Sequence, residues 1–131
     1  MKTAIATEGA PRAIGPYSQA VRVGQWVFCS GQIGLDPATG DLVGGGVGAE
    51  ADRALHNLRA VLAAAGGSLD TLVRTTIYLV DLADFARVNE VYERHIGAPF
   101  PARATVGVAA LPRGARIEID AIAMVETKVE G

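Results

Sequence analysis

The chain has 131 residues, enough for one domain with a hydrophobic core but too few for separate catalytic and cofactor lobes. Half of its residues are hydrophobic and 20% are charged, which is typical of a folded globular protein and excludes a disordered chain. A net charge of -2 provides no basic field for a nucleic-acid backbone, so composition argues against nucleic acid as the main partner.

The N-terminal segment lacks the apolar stretch of an export signal, and no run reaches the roughly 18 apolar residues that span a bilayer. Cys29 is the single cysteine, so no intrachain disulfide can form. Cys29, His56 and His95 show no recognisable zinc spacing, and we interpret Cys29 as a buried structural thiol. These features predict a cytoplasmic protein without a membrane segment or a metal site.

The first half of the chain predicts strands and then a helix. Two β-rich runs over residues 20–23 and 26–33 flank Gly24-Gln25 and indicate a hairpin, with a short strand before them at residues 3–6. From Ala51 the apolar residues recur with helical spacing until Gly66-Gly67, which predicts a long amphipathic helix. Glu50 and Asp52 are expected near the positive end of that helix.

The second half predicts four further elements. They are a strand over residues 72–80, a helix from Asp81 or Asp84 to Gly97, and strands over residues 102–111 and 116–125. Pro112 and Gly114 suit a turn, so the last two strands are predicted to form a hairpin. The order ββαβαββ predicts an α+β fold in a single domain over residues 1–131, with one mixed sheet and both helices packed on one face.

Alternation along the last two strands predicts where their polar side chains point. If the fully apolar sides of these strands meet the helices, Arg103, Thr105 and Glu118 share the second face of the sheet. The pattern alone favours an ordinary cross-strand ion pair between Arg103 and Glu118. A partly apolar second face is also typical of a surface that another subunit covers, so we expect an oligomer.

Two other segments have the character of pocket walls. Tyr17 follows the stiff Gly15-Pro16 turn, and Gly31, next to Ser30, interrupts a β-rich run where a ligand could approach the backbone. A tyrosine that only packs on its turn and a simple β-bulge are the structural alternatives at these two places.

Six segments together resemble the reactive intermediate deaminase family, in its RidA subgroup, also known as the YjgF family. They are APRAIGPYS at residues 10–18, SGQI at 30–33, DPATG at 36–40, VN at 88–89, FPAR at 100–103 and IEI at 117–119. The resemblance runs from about Ile5 to about Val125. It implies a chorismate-mutase-like fold and a homotrimer around a central β-barrel, with active sites between neighbouring subunits.

The resemblance also implies an activity. Members of this subgroup hydrolyse reactive enamines and imines, such as 2-aminoacrylate, 2-iminopropanoate and 2-iminobutanoate, to 2-keto acids and ammonia, and no cofactor is implied. Arg103 would bind the substrate carboxylate, Glu118 would activate the attacking water, and Thr105 would hold that water through its backbone carbonyl. The other implied positions line the substrate pocket, and they are Gly31, Ser30, Tyr17 and Asn89.

The chain departs from the family pattern at positions that affect substrate range. Thr105 stands where many bacterial members have cysteine, Gly107 stands where the bacterial archetype has an acidic side chain, and glycines crowd residues 44–48. Two other functions stay open. One is a non-enzymatic metabolite-binding or chaperone-like trimer, and the other is an endoribonuclease or translation inhibitor, against which the acidic charge balance argues.

Overall fold

The computed structural model describes residues 1–126, which form one six-stranded sheet and two α-helices. The strands are β1 (Thr3–Ile5), β2 (Ala20–Val23), β3 (Trp26–Gln32), β4 (Leu72–Leu79), β5 (Ala102–Gly107) and β6 (Ile117–Met124). The helices are α1 (Val47–Ala64) and α2 (Phe85–His95). Every predicted strand and helix is present. Neither α-helix of residues 1–126 has the length and apolar character needed to cross a membrane.

The predicted helix ends are found where glycine and aspartate marked them. Gly66 follows α1 with a φ of 90°, and the Gly67 N–H donates to the Leu62 carbonyl at 2.8 Å, which closes the helix. A short 3-10 turn over Leu82–Asp84 precedes α2, and the Asp81 side chain caps that turn. The glycine that ends α1 and the aspartate that caps the turn before α2 both act where the sequence predicts.

Helix α1 begins one turn before the predicted start at Ala51. Glycine is a poor helix former, so the glycines around Gly46 gave no sequence signal for this first turn. Glu50 lies in the first turn of α1, near the positive end of the helix as expected, and its side chain is fully buried. Its carboxylate accepts hydrogen bonds from the backbone N–H and the guanidinium of Arg116, each at 2.8 Å. Glu50 thereby ties α1 to the residue before β6.

We expect Glu50→Ala to lower the free energy of unfolding by about 2–4 kcal/mol, because it leaves the Arg116 N–H without its buried acceptor. Urea unfolding at a fixed protein concentration measures this. Glu90→Ala is the matched control, since Glu90 only joins Arg87 in an exposed pair at 3.1 Å, worth about 0.5 kcal/mol or less. Equal effects of the two substitutions would contradict the structural role of Glu50.

The sheet has the strand order β1-β2-β3-β6-β4-β5. The hairpin of β2 and β3 is antiparallel as predicted, and the short β1 pairs antiparallel with β2. Helix α2 connects β4 to β5, which run parallel. The sheet is therefore mixed, with one parallel pair at its edge.

The predicted hairpin of the last two strands is wrong. Strand β6 pairs antiparallel with β3 and β4, so β4 lies between β5 and β6. The nine residues from 108 to 116 could extend to about 30 Å, which is enough to pass over one intervening strand. Ile117, Ile119 and Ala123 are fully buried, and a strand with so much buried apolar surface gains most from a central place. The turn at Pro112–Gly114 is a local 3-10 turn within this connection.

The predicted side for the polar residues of β5 is also wrong. Arg103 is in register with Thr75, which is in register with the buried Ala121, so all three point toward the helices. Thr105 points the same way, whereas Glu118 points to the opposite face. In β5, alanine and valine alternate with arginine and threonine. Neither set carries enough apolar surface to show from the sequence which side of the strand faces the core. No cross-strand pair of Arg103 and Glu118 exists.

The helices cover one face of the sheet, and the core lies between the two layers. Helix α1 packs on β3 and β6, while Val88, Val91 and Tyr92 of α2 are buried beside it. The other face is not covered within the chain. We call it the open face, and several of its large apolar side chains are 40–46% exposed, namely Val23, Trp26, Phe28, Val106 and Met124. Glu118 and Asp120 are the acidic residues of β6 on this face.

Candidate active site

A cleft beside β5 holds the first group of candidate site residues. It has a volume of about 280 Å³, and we call it the arginine cleft; its walls are Asn89, Tyr92, Glu93, Phe100, Pro101 and Arg103. Helix α2 supplies one wall, and the segment that enters β5 supplies the other. Two of the residues predicted for the site, Arg103 and Asn89, are thus brought together.

Aromatic rings hold the Arg103 guanidinium in this cleft. Its central carbon lies 5.0 Å from the Tyr92 ring centre and 5.5 Å from the Phe85 ring centre, within the range of cation–π attraction. The Tyr92 hydroxyl lies 2.9 Å from the buried Thr75 hydroxyl, which fixes the ring. Burial raises the pKa of Tyr92, so the ring stays neutral at physiological pH. Tyr92 and Phe85 thus support the guanidinium from α2, and no sequence motif pointed to this role.

The charge of Arg103 is not neutralised by a neighbouring acid. Among residues 1–126, each ion pair involves another side chain, and no carboxylate lies within 4.0 Å of this guanidinium. An arginine in a planar, supported orientation presents paired N–H donors that match a carboxylate. The arginine cleft can therefore accept a small organic anion.

Thr105 contributes its backbone to the free edge of the sheet. The Val108 N–H donates to the Leu79 carbonyl at 2.9 Å, so even-numbered residues of β5 bond to β4. Backbone groups alternate in direction along a strand, hence the N–H and C=O of Thr105 point away from β4. Because β5 is an edge strand, the Thr105 carbonyl is available to a water molecule or to a partner chain.

Glu118 lies on the open face, where Gly31 allows its close packing. A Cβ atom placed on Gly31 would lie 2.7 Å from the Glu118 carboxyl carbon, so only glycine fits there without moving the carboxylate. Burial and, to a smaller extent, the charge of Asp120 raise the pKa of Glu118 above its usual value of 4.5. A carboxyl with a raised pKa is suited to accept and return a proton.

Ser30 and Gly31 sit in an irregularity of the sheet. The register of β3 and β6 shifts between Cys29 and Gln32, in agreement with the β-bulge alternative. The group that approaches Gly31 closely is the Glu118 carboxyl group, and the approach of a ligand to this backbone stays a prediction. The Ser30 hydroxyl donates to the Ser18 carbonyl at 2.6 Å, which brings the loop of Tyr17 to the bulge. Tyr17 is 55% exposed at this surface.

Gln19 anchors that loop, and sequence reasoning missed it. Its buried side chain donates to the carbonyls of Thr7, Ala10 and Pro11 and accepts the Thr7 N–H at 2.7 Å. Its own carbonyl accepts the Ser30 N–H at 3.0 Å. A glutamine between two loops carries no periodic or motif signal, so only the fold reveals this role.

One chain does not bring the two groups of residues together. Glu118 and Arg103 lie on opposite faces of the sheet, two strands apart and three positions apart along β4. Strand spacing and rise place their Cα atoms roughly 14 Å apart. A keto acid with three or four carbons cannot contact both side chains within one subunit.

Cys29 takes no part in this arrangement. It is buried, and burial together with the Asp120 charge raises the pKa of its thiol to about 12. A protonated, enclosed thiol is a poor nucleophile. The prediction of a structural cysteine is confirmed.

Comparisons with known proteins show which family and fold this chain shares. The family model described as endoribonuclease L-PSP matches residues 7–125. Protein DfrA of Myxococcus xanthus is 61% identical over 94% of this chain and 95% of that protein. A 2-iminobutanoate/2-iminopropanoate deaminase of Mus musculus is 52% identical over 95% of this chain and 92% of that protein.

A solved structure shows the same fold. RidA from an Antarctic Psychrobacter species superimposes with a TM-score of 0.91 at 47% identity, over 94% of this chain and 99% of that one. The chain belongs to the RidA/YjgF family. The resemblance that the motifs gave is thus confirmed along nearly the whole length, and with it the α+β architecture of a RidA protein.

Within the RidA/YjgF fold, the predicted site residues fall into two separate groups. Arg103, Asn89 and Thr105 surround the arginine cleft and the free edge of β5. The second group lies around Glu118 at the β3 bulge, and we call it the glutamate group; its other members are Tyr17, Ser30 and Gly31. The two groups lie on opposite faces of the sheet within one chain.

Proposed function

We propose that this chain is a hydrolytic deaminase of small reactive imines and enamines that carry a carboxylate, such as 2-iminopropanoate and 2-iminobutanoate. The observation that carries the proposal is Arg103, an unpaired guanidinium held on aromatic rings in an open cleft. Relatives at 52% identity that bear the name of this deaminase support it. The cleft anchors the acid group and leaves the adjacent imine carbon exposed to water.

Hydrolysis of the imine requires little more than placing the C=N carbon beside a water molecule. In 2-iminopropanoate the C=N carbon is already electrophilic, and fixing it beside one water molecule supplies most of the required catalysis. Glu118 takes a proton as water adds to that carbon, and the resulting amino alcohol then loses ammonia after the proton moves to nitrogen. The balance is one imine and one water giving one 2-keto acid and one ammonia. The Thr105 carbonyl orients the water.

We further propose that each site forms between two subunits of a homotrimer. The arginine cleft of one subunit would face the glutamate group of its neighbour, so that Arg103, Asn89 and Thr105 meet Glu118 and Gly31. Two features support this arrangement. The open face carries exposed apolar side chains that association would bury, and the outer edge of β5 has free backbone groups that can pair with another chain.

The test generates the substrate in place. A serine or threonine dehydratase releases 2-aminoacrylate or its four-carbon analogue, and trapping of the imine is followed with and without this protein. We expect faster disappearance of the imine and faster appearance of the 2-keto acid. No acceleration with any imine side chain would sink the proposal.

Gly31→Ala is expected to lower kcat by about 100-fold or more, because the added Cβ displaces the Glu118 carboxylate from its place. The displaced group is the end of a flexible side chain, so the melting temperature should change little. Gly44→Ala is the matched control, since a Cβ there meets no atom within 4 Å. Full activity of Gly31→Ala would contradict the assigned position of Glu118.

A non-enzymatic function is the second candidate, because the arginine cleft of a single chain contains an anion anchor without Glu118. A protein of this kind would bind 2-ketobutyrate at equilibrium but turn over no imine. The endoribonuclease function named by the family model is the third. It requires RNA cleavage that persists through purification and is lost in Glu118→Gln.

A further inference from the structure

A cluster on the helical layer has no part in the proposed deaminase reaction. Asp52 and His56 lie one turn apart on α1, and His95 is the last residue of α2. The His95 Nε2 atom lies 2.7 Å from Asp52 Oδ1, and the His56 Nε2 atom lies 3.6 Å from Asp52 Oδ2. None of these residues lines the arginine cleft. The fold thus unites two histidines that are far apart in sequence.

The dimensions of the cluster match those of a transition-metal site. Its three candidate ligand atoms all lie within 4.8 Å of one another. Zinc bonds imidazole nitrogen and carboxylate oxygen at about 2.1 Å, so two ligand atoms in a tetrahedral site lie about 3.4 Å apart. The distances from the two histidine nitrogens to the Asp52 carboxylate, 2.7 Å to Oδ1 and 3.6 Å to Oδ2, fall on either side of that value, each ending on a different carboxylate oxygen. Small side-chain rotations would bring all three atoms to a common centre.

The cluster is open to solvent on one side, so a metal ion can reach it. The His95 side chain is only 8% exposed and closes the inner side, whereas the side chains of His56 and Asp52 are 43% and 51% exposed. Both helices hold their ligands on a rigid backbone. Three protein ligands leave a fourth position for water, the arrangement that zinc adopts with two histidines and a carboxylate.

The surrounding charges restrict which cation can bind. Arg53 and Arg59 place positive charge near His56, so electrostatic attraction alone does not build the site. Calcium and magnesium prefer oxygen ligands, whereas zinc and its neighbours bond well to imidazole. A cation held here must therefore be one that forms strong bonds to nitrogen.

We propose that Asp52, His56 and His95 form a divalent transition-metal site that binds zinc and links α1 to α2. This site is independent of the proposed deaminase function. Binding to the folded chain stabilises it by mass action, because the unfolded chain does not hold the three ligands together. The metal would act as a clamp between the two helices.

The experiment uses the full-length protein after treatment with a chelator. Titration with Zn²⁺ by calorimetry should give one equivalent per chain, and thermal unfolding should shift upward with Zn²⁺ but not with Mg²⁺. Substitution by Co²⁺ should give the visible absorption of a low-coordinate nitrogen-ligated ion. His56→Ala should weaken Zn²⁺ binding by about 100-fold or more, and its exposed position means that the fold survives.

Asp52→Asn provides a second variant, and it should also weaken binding and remove the thermal shift. Glu90→Gln is the control, because it alters an exposed carboxylate on α2 away from the cluster. The proposal is overturned if no saturable equivalent of Zn²⁺ binds, if His56→Ala binds Zn²⁺ as tightly as the unmodified chain, or if Mg²⁺ shifts the unfolding temperature equally.

Discussion

Arg103→Ala is expected to lower kcat/KM for 2-iminopropanoate by about 100-fold to 1,000-fold, or about 3–4 kcal/mol in transition-state stabilisation. The substitution removes the anion anchor of the arginine cleft, so the imine carbon is no longer held beside water. Arg103→Lys should recover part of the loss, because it restores the charge without the planar pair of donors. The dehydratase-coupled assay measures both variants.

Stability separates this effect from a general loss of structure. Arg103 has no carboxylate partner among residues 1–126, so its removal loses mainly its two cation–π contacts, with Tyr92 and Phe85, at about 0.5–1 kcal/mol each. Arg94→Ala, at an exposed position of the same α2 helix, should keep full activity. If Arg103→Ala turned over the imine normally, the proposed role of the arginine cleft would be wrong.

Glu118→Gln is expected to lower kcat by about 100-fold to 10,000-fold with a small change in KM. Glutamine has the size of glutamate but cannot accept the proton of the attacking water. Burial and the Asp120 charge raise the pKa of Glu118, and a base works only when ionised. The acid limb of the pH–rate profile should therefore lie above the usual glutamate value of 4.5 and disappear in the variant.

Two further observations test this assignment. Asp120→Asn removes one cause of the raised pKa, so the acid limb should move to lower pH. Because the pKa of Glu118 is raised in the folded chain, ionising this side chain costs more in the folded state than in the unfolded state. The free energy of unfolding therefore falls as the pH rises from 4.5 through the raised pKa. Glu118→Gln should therefore unfold at the same or a higher temperature than the unmodified chain at neutral pH. An acid limb that is unchanged in Glu118→Gln, or a folded Glu118→Gln with full activity, would refute the role of Glu118 as base.

The sequence predicts local structure well here because its signals are local. Helical spacing, the Gly66 stop and the Asp81 cap each act within a few residues. The pairing of β6 with β3 and β4 depends on long-range burial, which no adjacent turn specifies. For that reason the Pro112–Gly114 turn suggested a hairpin that does not form.

The candidate site shows the same contrast between what local sequence specifies and what long-range packing specifies. Family motifs identify Arg103, Glu118 and Gly31, yet the facing directions of Arg103 and Glu118 depend on the pleat of two strands. Supporting residues such as Gln19 have no motif of their own, because their contacts come from segments that only the fold brings together. The sequence therefore nominates residues for the site, whereas the strand pairing and the face on which each residue lies come from the fold.

The separation of the two groups leads to a decisive mixing experiment. Arg103→Ala retains Glu118, and Glu118→Gln retains Arg103. If each site combines the arginine cleft of one subunit with the glutamate group of its neighbour, mixed oligomers contain some sites with both residues. Co-expression with two different affinity tags and purification on both tags isolates such oligomers.

The activity of these doubly tagged oligomers in the imine assay tests the proposed intersubunit site most directly. Every doubly tagged homotrimer contains both variants, and one of its three sites pairs an intact cleft with an intact glutamate group, so about a third of the unmodified activity should return. Each variant purified alone, with the same two tags, is the control and should stay inactive. Mixed oligomers that are no more active than the separate variants would contradict a site built from two subunits.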